Sequence, residues 1–171
     1  MFGEPEKLGL KKSFEMVDAP KGKTFHYRNE DKRVIEPGWC NEHRLRNIKG
    51  PLIYAVTDNS GIIRYVGKWV SDTPLYQRWF RRKHIHHQTS SRNIYISELD
   101  QGKKPLTVWS ASAVELKKLP LPDATLTMSN RDLVQNLEAL WIQRWKPQLW
   151  NKNHEPMVSG FTDGEYWKKI P

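Results

Sequence analysis

The chain reads as a mixed α/β protein. Three stretches predict this: an alternating hairpin over 52–67, a short strand over 106–112, and an apolar-striped helix over about 130–145. The remainder is polar connection and one further helix after Thr73.

The hairpin comes first in the argument. Leu52, Tyr54 and Val56 alternate with Ile53, Ala55 and Thr57, and Ile62, Arg64 and Val66 alternate with Ile63, Tyr65 and Gly67. Asp58-Asn59-Ser60-Gly61 between them is turn chemistry. A symmetric loop, whether Asn59-Ser60 or 58–61, pairs Tyr54 directly with Tyr65 and sets the two phenols side by side. An ordinary cross-strand aromatic pair is the plainer account of that arrangement. A helix follows, with Thr73 as its cap, Pro74 in its first turn, and Leu75 and Trp79 on one face beside Arg78, Arg81 and Arg82. Leu106–Ser112 predicts a strand. The last helix is announced by Ser129 with Asp132, which suggests a capping box, and is ended by Pro147. On it Glu138 emerges among Val134, Trp141 and Ile142. A carboxylate in such company needs a lysine, an arginine or a metal as partner.

Residues 1–50 read as an irregular polar extension broken by Pro20, Gly22, Pro37 and Gly38, with a short helix near 7–16. Residues 51–152 form the core and 153–171 a tail.

Length and composition narrow the function. A chain of 171 residues holds one domain with an extension. Mean hydropathy is −0.76, no run approaches the ~20 apolar residues of a membrane span, and the first residues lack a signal-like apolar stretch. A soluble, intracellular, cytoplasmic protein is expected, with no membrane partner. The lone Cys40 excludes an internal disulfide and a cysteine-rich zinc site. The net charge is +9, which favours a polyanionic partner. Residues 73–97 contain no Asp or Glu but hold Arg78, Arg81, Arg82, Lys83 and Arg92, with His84, His86 and His87. That one-sign stretch is the expected nucleic-acid surface. Of the eight tryptophans, some pack the core and others are available for stacking.

In order along the chain stand Tyr54, Tyr65-Val66-Gly67, Arg78, Glu138 and Asn151. This set resembles the GIY-YIG nuclease family, whose first motif matches Leu52-Ile53-Tyr54 and whose second matches Tyr65-Val66-Gly67. The resemblance spans residues 50–152. Leu52 stands where the family has glycine, the segment from Gly67 to Arg78 is slightly long, and Arg82 occupies the place of a frequent histidine. His84, His86 or His87 is the substitute for it, or none is.

The resemblance implies an α+β fold with a small three-stranded antiparallel sheet flanked by helices. It also implies a metal-dependent DNA endonuclease, acting on double-stranded DNA with Mg²⁺ or Mn²⁺. Tyr54 would be the general base, its phenol lowered by Lys68. Tyr65 would order water or phosphate, Arg78 would grip the scissile phosphate, and Glu138 would bind the metal. Arg81, Arg82, Lys83, His84 and Asn151 would contact DNA.

With no recognition domain after the core, a stand-alone sequence-specific restriction endonuclease is the first expectation. It would be a homodimer whose residues 1–50 clasp DNA or join the subunits. A less specific phage, mobile-element or repair nuclease, or a non-enzymatic basic binding module, are the alternatives.

Overall fold

β5 (Leu52–Thr57) is buried along its whole length because both of its faces are covered. It lies inside a sheet of order β4-β1-β7-β5-β6, with β1 (Lys11–Met16), β4 (Pro37–Cys40), β6 (Ile63–Trp69) and β7 (Leu106–Ser112). Every pairing in it is antiparallel. The computed structural model describes residues 4–19, 21–80, 85, 91–151 and 163–169. The remaining elements are β2 (Thr24–Tyr27), β3 (Glu30–Arg33), α1 (Glu42–Asn47), α2 (Leu75–Phe80), α3 (Ser91–Asp100), α4 (Ala113–Leu116), α5 (Asp123–Leu126), α6 (Asn130–Trp145) and α7 (Asp163–Lys169). β2 and β3 pair only with each other.

The mixed α+β architecture agrees with the sequence. The expected three-stranded sheet does not: it has five strands. Two of them come from residues 1–50, and Lys11–Met16 is a strand where a short helix was expected, preceded by a single 3₁₀ turn at Pro5–Leu8. The reason is tertiary. β7 has a free edge opposite β5, and β1 fills it, seating Phe14 and Met16 in the core.

The sheet separates two apolar layers. Ile53, Ala55 and Val66 face α4, α6 and α7, packing with Leu137, Trp141 and Tyr166. Leu52, Tyr54 and Val56 face the other way, toward Leu45 of α1, Leu75 and Trp79 of α2, and Tyr95 of α3. Tryptophans serve mainly this packing: Trp79 and Trp141 are fully buried, whereas Trp39 is exposed.

α6 and β7 span the residues expected of them. The Ser129 hydroxyl caps α6 by accepting from the Asp132 N–H at 3.1 Å. The Asp132 carboxylate instead takes the Ser129 hydroxyl at 2.7 Å. One methylene shorter than glutamate, it does not complete the reciprocal box.

The β5–β6 register also departs from expectation. Tyr54 pairs with Gly67, and Tyr65 pairs with Val56. The Asp58 carboxylate organises a longer loop, accepting from Ser60 N at 2.9 Å, Ile62 N at 3.0 Å and Arg64 Nε at 2.8 Å. A register shift beside Thr57 completes the displacement. Because side chains alternate with period two, a slip of two residues leaves both tyrosines on one face. Among the described residues no helix is long and apolar enough to cross a membrane.

Candidate active site

Tyr54 sits in a box of aromatic rings. Trp79 meets its ring edge-on at 5.4 Å and Tyr65 stacks beside it at 6.2 Å, with 24° between planes. The third wall is Gly67, whose missing side chain gives the ring its room: a Cβ there would lie 2.5 Å from Cζ of Tyr54 and 2.6 Å from its oxygen. Glycine is thus required at this point of the strand.

Arg78 reaches the same phenol from α2. Its guanidinium hydrogen-bonds Tyr54, lies over the Trp69 ring at 5.2 Å, and is also flanked by Tyr65 and Tyr95. Burial pushes the Tyr54 phenol above its usual range, with Glu138 adding to it; Arg78 and a hydrogen bond with Tyr65 pull the other way without prevailing. Tyr54 is therefore a protonated phenol at neutral pH. Burial works against the charge of Arg78, but the phenols of Tyr54, Tyr65 and Tyr95 outweigh it and hold the guanidinium charged.

Lys68 was expected to be the cation beside Tyr54. Arg78 takes that place, for a reason in the pleat. Tyr54 shares a face with its partner Gly67, so Lys68, one residue on and paired with Ile53, points to the α6 face. There its ammonium binds Glu138 Oε2 at 2.7 Å. The two side chains are 14% and 12% exposed, which places this ion pair well inside the surface. The question raised by Glu138 among apolar neighbours is answered by a lysine. Its negative charge still acts on Tyr54. The candidate site is thus divided by edge strand β6, with Tyr54, Tyr65 and Arg78 on one face and Lys68 and Glu138 on the other.

Asn151 was expected at DNA. Its amide instead clamps the outer edge of β6, accepting from Val66 N at 3.0 Å and donating to Val66 O at 2.7 Å. Trp150 N adds a bond to Arg64 O. These contacts cover backbone groups that an edge strand leaves open. Arg81, Arg82, Lys83 and His84, with His86 and His87, lie outside the described residues. Arg92, counted in the basic stretch, is buried: it donates to Ile85 O at 3.1 Å, and burial pushes its guanidinium down to about 10.

Tyr95 is a member of this cluster that sequence reading missed. It is fully buried, 6.0 Å edge-on to Tyr65 and 6.2 Å from Trp79. No pattern in α3 marks it, since its partners lie on β6 and α2.

A single carboxylate suits Mg²⁺, which takes one or two from protein and completes its octahedron with water and phosphate oxygens. Glu138 is the carboxylate in this site, and its Oε2 is held by Lys68. Among the described residues no group of three or more His, Cys, Asp or Glu is arranged to hold a metal.

The Lys68–Glu138 pair gives a direct test of the electrostatics. Lys68→Met removes the cation that answers Glu138 and should cost about 3–5 kcal/mol, a fall in Tm of about 6–20 °C for a chain of this size. Adding Glu138→Gln should restore most of it. A Tm unchanged in Lys68→Met would show that the pair stabilises nothing.

No family model matches the chain, and neither a curated protein nor a solved structure matches it.

Proposed function

We propose that this protein is a metal-dependent DNA endonuclease of the GIY-YIG kind, acting on double-stranded DNA as a sequence-specific homodimer. The observation that carries the reading is the Tyr54–Arg78 hydrogen bond inside an aromatic box beside Tyr65, with Glu138 acting on the same phenol.

Hydrolysis needs a nucleophilic water, stabilised charge on the phosphate and a leaving 3′-oxygen. Tyr54 as phenolate takes a proton from the attacking water. The water oxygen bonds to phosphorus, the P–O3′ bond breaks, and the 3′-oxygen leaves and is protonated by solvent. Arg78 presents its planar fork to the phosphate oxygens while holding Tyr54 in place. Tyr65 orients the water. Glu138 would exchange Lys68 for Mg²⁺, which would supply positive charge at the phosphate when bound.

Because burial raises the Tyr54 phenol above its usual range, the phenolate is scarce at neutral pH and its population rises with pH. Single-turnover cleavage of plasmid with Mg²⁺ should yield discrete fragments, at a rate climbing about tenfold per pH unit from pH 7 to 9. Tyr54→Phe should abolish it. A flat pH profile with active Tyr54→Phe would remove Tyr54 as the base.

The Lys68–Glu138 ion pair favours one rival, a basic DNA-binding module in which Glu138 is structural. DNA binding with no cleavage under Mg²⁺ or Mn²⁺ at any pH would decide for that rival.

A further inference from the structure

The hairpin of β2 and β3 stands apart from the main sheet. Its strands pair from Thr24 with Arg33 to Tyr27 with Glu30, around a two-residue loop of Arg28 and Asn29. An isolated hairpin is marginally stable in water. This one is held at its root. Arg33 grips Asp100 of α3 through both nitrogens at 2.7 and 2.9 Å and donates to Ala19 O at 2.6 Å. Phe25 lies 5.0 Å below the buried Arg92 guanidinium. Just beyond β3, Ile35 accepts from Ile85 N at 3.0 Å, so the root sits at the middle of the acid-free stretch 73–97.

Past the root the ribbon is solvent-exposed, at Thr24, His26, Arg28, Asn29 and Asp31. Over 21–33, Lys21, Lys23, Arg28, Lys32 and Arg33 outnumber Glu30 and Asp31. Arg28 and Asn29 have φ of 50° and 64°, a left-handed conformation that glycine adopts without strain, asparagine tolerates and arginine does not favour. Folding alone would favour glycine or asparagine at position 28. The chain places a guanidinium there instead, with the Asn29 amide beside it.

We propose that this ribbon enters the major groove of duplex DNA and that Arg28 and Asn29 read base edges there. The inference rests on the DNA-substrate part of the reading above and names its specificity element. Strands of this length span about 13 Å, about 5 Å apart, and a major groove about 12 Å wide admits a two-stranded ribbon. Arginine and asparagine are the side chains that make bidentate bonds to guanine and adenine. Lys23 pairs with Glu36, Lys32 with Glu30 and Arg33 with Asp100, and the small surplus of positive charge that remains suits a phosphate-lined groove. The anchor helix α3 carries Tyr95, in contact with Tyr65, which links the reading element to the candidate site through one rigid element.

The test is selection of bound duplexes from a randomised DNA pool without Mg²⁺, followed by sequencing. Wild type should enrich a motif. The double variant Arg28→Gly/Asn29→Gly should leave Tm within a few degrees of wild type, since glycine adopts both left-handed positions without strain. It should lose preference at one or two base pairs by about tenfold to a hundredfold. Arg28→Lys keeps the charge and should lose the preference at its own base pair while retaining non-specific affinity. The same motif from wild type and both variants, or no motif from wild type, overturns the proposal. A motif without plasmid cleavage would sink the nuclease reading and leave the ribbon assignment standing. Cleavage without any motif would do the reverse.

Discussion

For the endonuclease proposed above, Arg78→Ala will lower DNA cleavage by about 10³-fold while leaving the protein folded. On that reading the guanidinium does two things. It holds the Tyr54 phenol by a hydrogen bond, and it offers a fork to the charge that develops on phosphate. Loss of one preorganised donor to such charge typically costs 10²–10³ in rate, about 2.7–4 kcal/mol; the loss of Tyr54 positioning adds to it. The fold should tolerate the change, because α2 is anchored by Leu75, Trp79 and Phe80, all buried. Arg78→Lys will recover little, since an ammonium is a point charge without the planar fork. DNA affinity, read by fluorescence anisotropy, will fall far less than single-turnover rate. A variant that cleaves within tenfold of wild type, with Tm unchanged, would take Arg78 out of the chemistry.

The second large effect is expected from the smallest substitution. Gly67→Ala introduces a Cβ 2.5–2.9 Å from three atoms of the Tyr54 ring. The ring cannot withdraw, because Tyr54 is 1% exposed and Trp79 and Tyr65 close the box. Either the phenol or strand β6 must shift. Overpacking of this kind costs about 1–3 kcal/mol, a fall in Tm of about 2–12 °C. Displacing a catalytic group by about 1 Å can cost 10²-fold in rate. Differential scanning fluorimetry, with cleavage measured well below the new Tm, separates the two. Full activity in a stable Gly67→Ala would mean that the position of the Tyr54 ring does not matter to catalysis.

Several elements were legible without a structure, and the reason differs from case to case. α6 was visible because its cap, its stripe and Pro147 all lie within one continuous segment. β7 was visible as a short run bounded by polar residues. The turn at Asp58 was visible as chemistry, but its geometry was not: the Asp58 carboxylate reaches Ile62 and Arg64, which lengthens the loop and moves Tyr65 from Tyr54 to Val56. β1 was misread because Lys11–Met16 has no strand period of its own; its conformation is imposed by the open edge of β7. In the candidate site, the need of Glu138 for a cation was legible from its neighbours on the helix. Which cation answered it was not, nor was the use of Asn151 on Val66.

By itself the sequence determined α6, β7 and the presence of a turn at Asp58, the basic balance and the set of reactive side chains, because turn signals, periodicity and charge act over a few residues. Tertiary structure alone decided the register of the hairpin, the choice of Arg78 over Lys68 as the partner of Tyr54, and the recruitment of residues 11–16 and 37–40 into the sheet. Those outcomes depend on contacts between segments tens of residues apart, where packing and pleat, not local preference, set which groups meet.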